Sequence, residues 1–131
     1  MLMIVIFLII WLSNQMDLTG VMEELVKTIR ARVSSRAALA AMPAVIGLLP
    51  MSGGAIFSAP MVDSCDHENS LSQDLKTQIN YWFRHIWEYW WPLYPGVLLA
   101  VDLAGIEIWQ FVLVQLPLCF CSISIGSFYF F

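Results

Sequence analysis

Leu49-Pro-Met-Ser-Gly-Gly-Ala-Ile-Phe-Ser-Ala-Pro60 lies inside Ala37–Val62, a stretch that is apolar almost throughout and carries no charged residue. The stretch is about long enough to cross a bilayer, which takes about 20 helical residues. It cannot be one regular helix. Pro43, Pro50 and Pro60 each lack an amide hydrogen and crowd the preceding turn, and the paired glycines after Ser52 favour unwinding. The expected shape is a helix to Leu49, an irregular turn over Pro50–Gly54, and then a short second helix or an extended return. Unpaired backbone in hydrocarbon costs several kcal/mol per group, so such a break survives only within protein or against a cavity. Broken membrane helices serve as binding sites, because their N-termini offer amides to anions and their opened carbonyls hold sodium or protons. Ser52, Gly53, Gly54 and Ser58 are therefore the candidate substrate- or ion-binding residues, with Pro50 and Pro60 as the helix breaks. The same residues also fit a plainer reading, a proline-kinked helix packed through small side chains.

Working outward, the composition points the same way. Of 131 residues, 60% are hydrophobic and 12% charged, about half the charge that a soluble domain uses to cover its surface. The charges gather in two blocks, Asp17–Arg36 and Asp63–Glu88, whereas a soluble fold intersperses them at helical or strand period. The net charge of −4 and the lack of a long basic run argue against nucleic acid as a partner. Cys119 and Cys121 are two apart in an apolar segment and Cys65 is isolated, so the cysteines define neither a redox motif nor a compartment.

Upstream, Leu2–Leu12 reads as the last half of a membrane helix, with Ser13-Asn14-Gln15 as its polar exit. Met1–Leu12 lacks a basic leader and a cleavage site, and as a helix it spans only roughly 18 Å. Asp17–Ser35 reads as an amphipathic helix, because Leu18, Val21, Met22, Leu25, Val26, Ile29 and Val33 fall on one face. Such a helix suits the headgroup layer. Lys27, Arg30, Arg32 and Arg36 outnumber the Lys76 and Arg84 of the second block, which places the first block in the cytoplasm.

Downstream, Ser70 with Gln73 matches a capping box. From there Leu75, Ile79, Trp82, Phe83, Ile86 and Trp90 form an apolar stripe. The crowd of Trp and Tyr over 81–94 reads as an aromatic belt marking a water–lipid boundary near Trp91. Pro92 and Pro95 end that helix. Beyond them, Tyr94–Phe131 fits either two spans joined at Gly105 or one span plus a re-entrant piece. Asp102 is a candidate intramembrane carboxylate, although a turn at Gly105 would put it and Glu107 in water. Arg84 and Glu88, one turn apart, read as a surface ion pair. Cys65-Asp66-His67-Glu68 matches a metal site only by residue type, since adjacent ligands seldom converge on one ion. No nucleophile–base pair is visible, so an enzyme is not expected.

Leu49–Val62, together with Asn80-Tyr-Trp-Phe-Arg-His-Ile-Trp-Glu-Tyr-Trp-Trp-Pro-Leu-Tyr-Pro-Gly96, resembles an uncharacterised prokaryotic membrane-protein family, domain of unknown function 401. A proline is common in that family where this chain has Ser52. The resemblance implies membership of the ion-transporter superfamily, beside gluconate, citrate and dicarboxylate carriers, and location in the prokaryotic inner membrane. It also implies that this chain is a fragment, as do its abrupt apolar ends.

The expected fold is all-α: a polytopic helical membrane protein with a broken or re-entrant helix and interfacial amphipathic helices. One partial domain, 1–131, would place spans at about 1–12, 37–62 and 92–131, and interfacial helices at about 17–35 and 71–91. The expected function is a segment of a secondary carrier for small organic anions, working by alternating access. Its partners would be the lipid bilayer, a small anionic solute, and the rest of the carrier or further copies. No cofactor is expected beyond a coupling sodium ion or proton. The alternative is a non-transporting membrane scaffold or assembly subunit.

Overall fold

Helices in this chain end where their terminal amides and carbonyls find substitute partners. The computed structural model describes residues 2–51, 54–66 and 70–131. Among them every regular element is a helix: α1 (Leu2–Leu18), α2 (Val21–Arg30), α3 (Ser35–Gly47), α4 (Gly54–Cys65), α5 (Gln73–His85), α6 (Pro95–Ala104) and α7 (Ile108–Phe130).

α1 runs through Ser13-Asn14-Gln15, which the sequence reading made an exit. Ser13 lies within the helix with its hydroxyl donating back to the Ile9 carbonyl at 2.9 Å, and Thr19, just past the helix end, does the same to Gln15 at 2.8 Å. The stop comes at Gly20, whose φ of 72° lies in the left-handed region that glycine adopts without penalty. The amphipathic helix therefore starts at Val21 and not near Asp17, and it ends at Arg30. Ser34 then caps α3 by accepting from the Ala37 amide at 3.5 Å.

α3, α4 and α5 pack on one another around Ala38, Leu39, Met42 and Ile46 from α3, Val62 and Cys65 from α4, and Ile79 and Phe83 from α5. α2 lies against α3 and α1, α7 against α5, and α6 against α1 and α7. Burial of this apolar set is the main favourable term at about 25 cal/mol per Å². Between α3 and α4 the chain leaves the helical path over residues 48–51.

Pro60 corrects the sequence reading: it lies inside α4 and does not end it. The acceptor its missing amide would have used is the carbonyl of Ile56, an outward-facing residue, so the lost bond falls on the exposed side. Pro43 and Pro117 likewise sit within α3 and α7.

Gly105, at φ 64°, closes α6 with amides of Gly105 and Ile106 bonded back to Asp102 and Val101. Glu107 and Gln110 then form a capping box that starts α7. Tyr94–Phe131 is thus two separate helices. With ten residues, α6 is roughly 15 Å long, whereas α7 with 23 is roughly 35 Å. α7 is long and apolar enough to cross a membrane, and only 11% of its most apolar window is buried. α1, α3 and α6 contribute shorter apolar helices.

Candidate functional site

The site builds up from the inward face of α5, where Lys76, Asn80 and Arg84 recur every fourth residue and so stack on one side of the helix. All three are buried, at 5%, 6% and 6% exposure. They face α4 in order along its length, each with its own kind of partner.

Lys76 holds the far end. Its ammonium lies 2.7 Å from Asp63 and 3.1 Å from Asp66. Asp66 also accepts from the Ser70 amide and hydroxyl at 3.1 and 3.2 Å and from the Leu71 amide at 3.1 Å. Burial by itself would raise the Asp66 pKa, but the Leu71 amide, Lys76 and Ser70 outweigh it and bring the carboxyl down to about 2. The Lys76 hydrogen bond lowers Asp63, and the two carboxylates raise Lys76, Asp63 foremost. With Ser70 engaged by Asp66, the cap of α5 falls to Ser72, which accepts from the Leu75 amide at 3.3 Å. That replaces the expected cap at Ser70.

Asn80 holds the middle. Its Oδ1 accepts from the Ser58 hydroxyl at 2.5 Å, and its Nδ2 donates to the Ala55 carbonyl at 2.9 Å. Ser58 is fully buried. Both polar groups are thereby satisfied within protein.

Arg84 holds the start of α4. Its Nη2 donates to the Met51 carbonyl at 3.1 Å. A side chain at Gly54 would run into the guanidinium, since a Cβ there would stand 2.7 Å from Nε and 2.9 Å from Cζ. Nε is buried and has no hydrogen-bond partner among the described residues. Glu88 stands 3.9 Å from Nη1 on a half-exposed side chain, too far for a hydrogen bond. The expected surface ion pair is therefore a buried arginine with a loose carboxylate neighbour. α4 has twelve residues and begins at Gly54, whose amide donates at 3.4 Å to the same Met51 carbonyl that Arg84 uses.

Aromatic side chains lock the neighbouring end of α3. That helix tightens at its end, with the Leu48 amide donating to Val45. The Ala44 carbonyl takes the Trp87 indole at 2.7 Å, and the Gly47 carbonyl takes the Tyr94 hydroxyl at 2.6 Å. These rings, expected at a water boundary, thus spend their polar edges on protein backbone. Gly47 is required where it stands, because a Cβ would lie 2.8 Å from Trp87 Cδ1 and 3.0 Å from the Arg84 carbonyl carbon. Beside Pro50 and Met51, a crevice of about 430 Å³ is lined also by Phe7, Ile10, Trp11, Ser13, Asn14 and Pro95.

Of the sequence candidates, Gly54 and Ser58 both line the α4–α5 contact, against Arg84 and Asn80. Pro50 lines the crevice. Ser52 and Gly53 lie outside the described residues, as do His67 and Glu68 of the acidic loop. Asp102 is exposed, one turn before Gly105, and takes no part in this site. Sequence reasoning missed Lys76, Asn80 and Arg84 as buried partners. Their spacing of four beside the buried Ile79 and Phe83 was the available signal.

The family whose sequence model matches the chain, over residues 1–131, is described as a protein of unknown function (DUF401). Neither a curated protein nor a solved structure matches the chain.

Proposed function

The chain belongs to this family of proteins of unknown function, and we propose that it forms part of a secondary carrier for small organic anions in a prokaryotic inner membrane. The observation that carries the reading is the start of α4: a helix N-terminus inside the protein, faced by a buried arginine. A positive helix end and a cation at a break between apolar helices are the elements by which carriers hold an anion near the midplane. The polytopic fold and the placement in the ion-transporter superfamily belong to the same proposal. Its supports are the length of α7, the exposed apolar faces of α1 and α7, and the exposed Val21 and Leu25 on α2. In water those faces would favour aggregation, whereas in lipid they need no cover. Alternating access would then move α4 and α5 relative to the rest, with sodium or a proton as coupling ion.

The test is uptake of radiolabelled succinate by liposomes carrying the protein purified from its native membrane, with and without sodium or proton gradients. Saturable uptake above protein-free liposomes, lost in Gly54→Leu, is the expected result. Uptake equal to that of empty liposomes across a panel of organic anions would remove the reading. The exposed faces of α1 and α7 also suit the alternative, a scaffold covered by a partner chain. A stable complex with a second membrane protein, together with absent flux, would favour it.

A further inference from the structure

We infer that the groove between α3 and α7 holds one anionic phospholipid, with its phosphodiester on Arg36 and an acyl chain along α3. The inference rests on the membrane placement proposed above and not on transport. α3 and α7 each pack on α5 but, among the described residues, not on each other. The space between them measures about 560 Å³, within the range of ligand-binding clefts. Ala37, Ala41 and Ala44 line one wall, and Ile123, Ser127 and Phe131 line the other. The three α7 residues recur every fourth position, so one face of that helix is turned to the gap. At the floor, Phe83 and Ile86 are only 3% and 5% exposed. That nearly closed floor selects the occupant. A helix, about 10–12 Å across, would need α5 open to it to seat between the walls. An acyl chain is slender and bends to fit.

The lining changes character along its length. Trp87 lies at the Ala44 end, and its indole N–H is spent on the Ala44 carbonyl, so the ring adds no free donor there. Arg36 and Ser34 lie at the start of α3, with Arg36 roughly 12 Å from Ala44 along the helix. The Arg36 side chain is exposed, and the ion pairs among the described residues engage Lys76, Arg84 and His85 instead. A cation at one end and hydrocarbon over the rest is the pattern of a headgroup followed by its chain. Basic pockets between membrane helices on the cytoplasmic side take anionic lipid headgroups. Lys27 and Arg32, both exposed, belong with Arg36 to the block that the positive-inside bias assigns to that side. One guanidinium balances one phosphodiester charge, which points to a monoanionic lipid of the phosphatidylglycerol kind.

The experiment adds phosphatidylglycerol, or phosphatidylcholine with the same acyl chains, to the delipidated protein in neutral detergent and counts bound lipids by native mass spectrometry. Wild type should take one phosphatidylglycerol about fivefold more tightly than phosphatidylcholine, the effect of one basic residue at an anionic surface. Arg36→Gln, at an exposed position, should abolish that preference. Lys27→Gln, on an exposed cation outside the lining, should keep it. Ala41→Phe fills the groove and should weaken both lipids. Equal affinities in wild type, or a preference that survives Arg36→Gln, overturns the headgroup assignment. Unchanged binding in Ala41→Phe overturns the groove, and the Arg36→Gln arm remains decisive if that variant fails to fold. Displacement of the lipid by an equal concentration of glycerol 3-phosphate overturns the inference by making the ligand a free phosphate. A dimer that Ala41→Phe dissociates overturns it by making the occupant a second copy. Selective lipid binding without liposome uptake would leave the groove standing and remove only the carrier, whereas uptake without lipid preference would remove only the groove.

Discussion

Asn80→Ala tests whether the polar ladder of α5 holds α4 in place. The substitution removes two buried hydrogen bonds, Ser58 Oγ–H to Oδ1 at 2.5 Å and Nδ2–H to the Ala55 carbonyl at 2.9 Å. At about 1 kcal/mol net for each, their loss comes to about 2 kcal/mol. The hole left by the carboxamide at a site 6% exposed adds to that, so the total should reach about 2–3 kcal/mol. Ser58 is not left stranded, because its hydroxyl already reaches the Ala55 carbonyl at 3.3 Å. Ser58→Ala alone should therefore cost about 1 kcal/mol, and adding it to Asn80→Ala should cost little more. The double-mutant cycle should return a coupling of about 1 kcal/mol. The assay is reversible unfolding in mixed micelles on titration with dodecyl sulfate, followed by tryptophan fluorescence. Additivity of the two substitutions within about 0.3 kcal/mol would show that the pair does not interact and would refute the reasoning.

Three further outcomes follow from the same geometry. Asp66, held at about 2 against an ordinary 3.8, contributes stability that is present above pH 3.8 and is lost as pH falls towards 2. Lys76, raised above 10.5, contributes stability that is present below that value and lost as pH rises beyond it. Unfolding midpoints should therefore be flat through neutrality and fall on both sides, and Lys76→Met should lessen the alkaline fall. Gly105→Ala forces a side chain into φ 64° and should lower stability by about 1 kcal/mol in the micelle assay. Gly126→Val should cost more than Gly126→Ala, because even a Cβ would meet Trp82 Cδ1 at 2.6 Å and Phe83 at 3.2 Å. Tryptophan emission should shift to longer wavelength as α7 parts from α5.

The all-α class and the break after α3 were legible in the sequence, since Pro50 and Gly54 act through backbone chemistry that any context must respect. The two stretches that carried the family resemblance lie within the matched residues. Position-dependent features were harder to read. Pro60 has the same chemistry as Pro50, yet the carbonyl it deprives belongs to an outward residue, so α4 continues. Ser70 has the residue type of a cap but is bound to Asp66, and the helix start moves on to Ser72. Arg84 reads as a surface residue because long charged side chains usually stand there, and Lys76 reads only as one of the charges of the second block. Their burial depends on α4, where Gly54 makes room at the start of the helix and Asp63, with Asp66 just past its end, supplies charge. Such pairings exist only once the helices have met, so the spacing of four along α5 marks a shared face but not its partners.

Spin labels placed one at a time along α7 in lipid vesicles, at Trp109, Leu113, Leu118, Ile125 and Phe128 in a cysteine-free background, address the bilayer directly. Leu118, exposed in the isolated chain at 55%, should collide freely with dissolved oxygen and scarcely at all with a water-soluble nickel chelate, with the balance reversing towards both ends. Equal collision with the nickel chelate at all five positions would mean that α7 lies in water, and the membrane carrier would go with it.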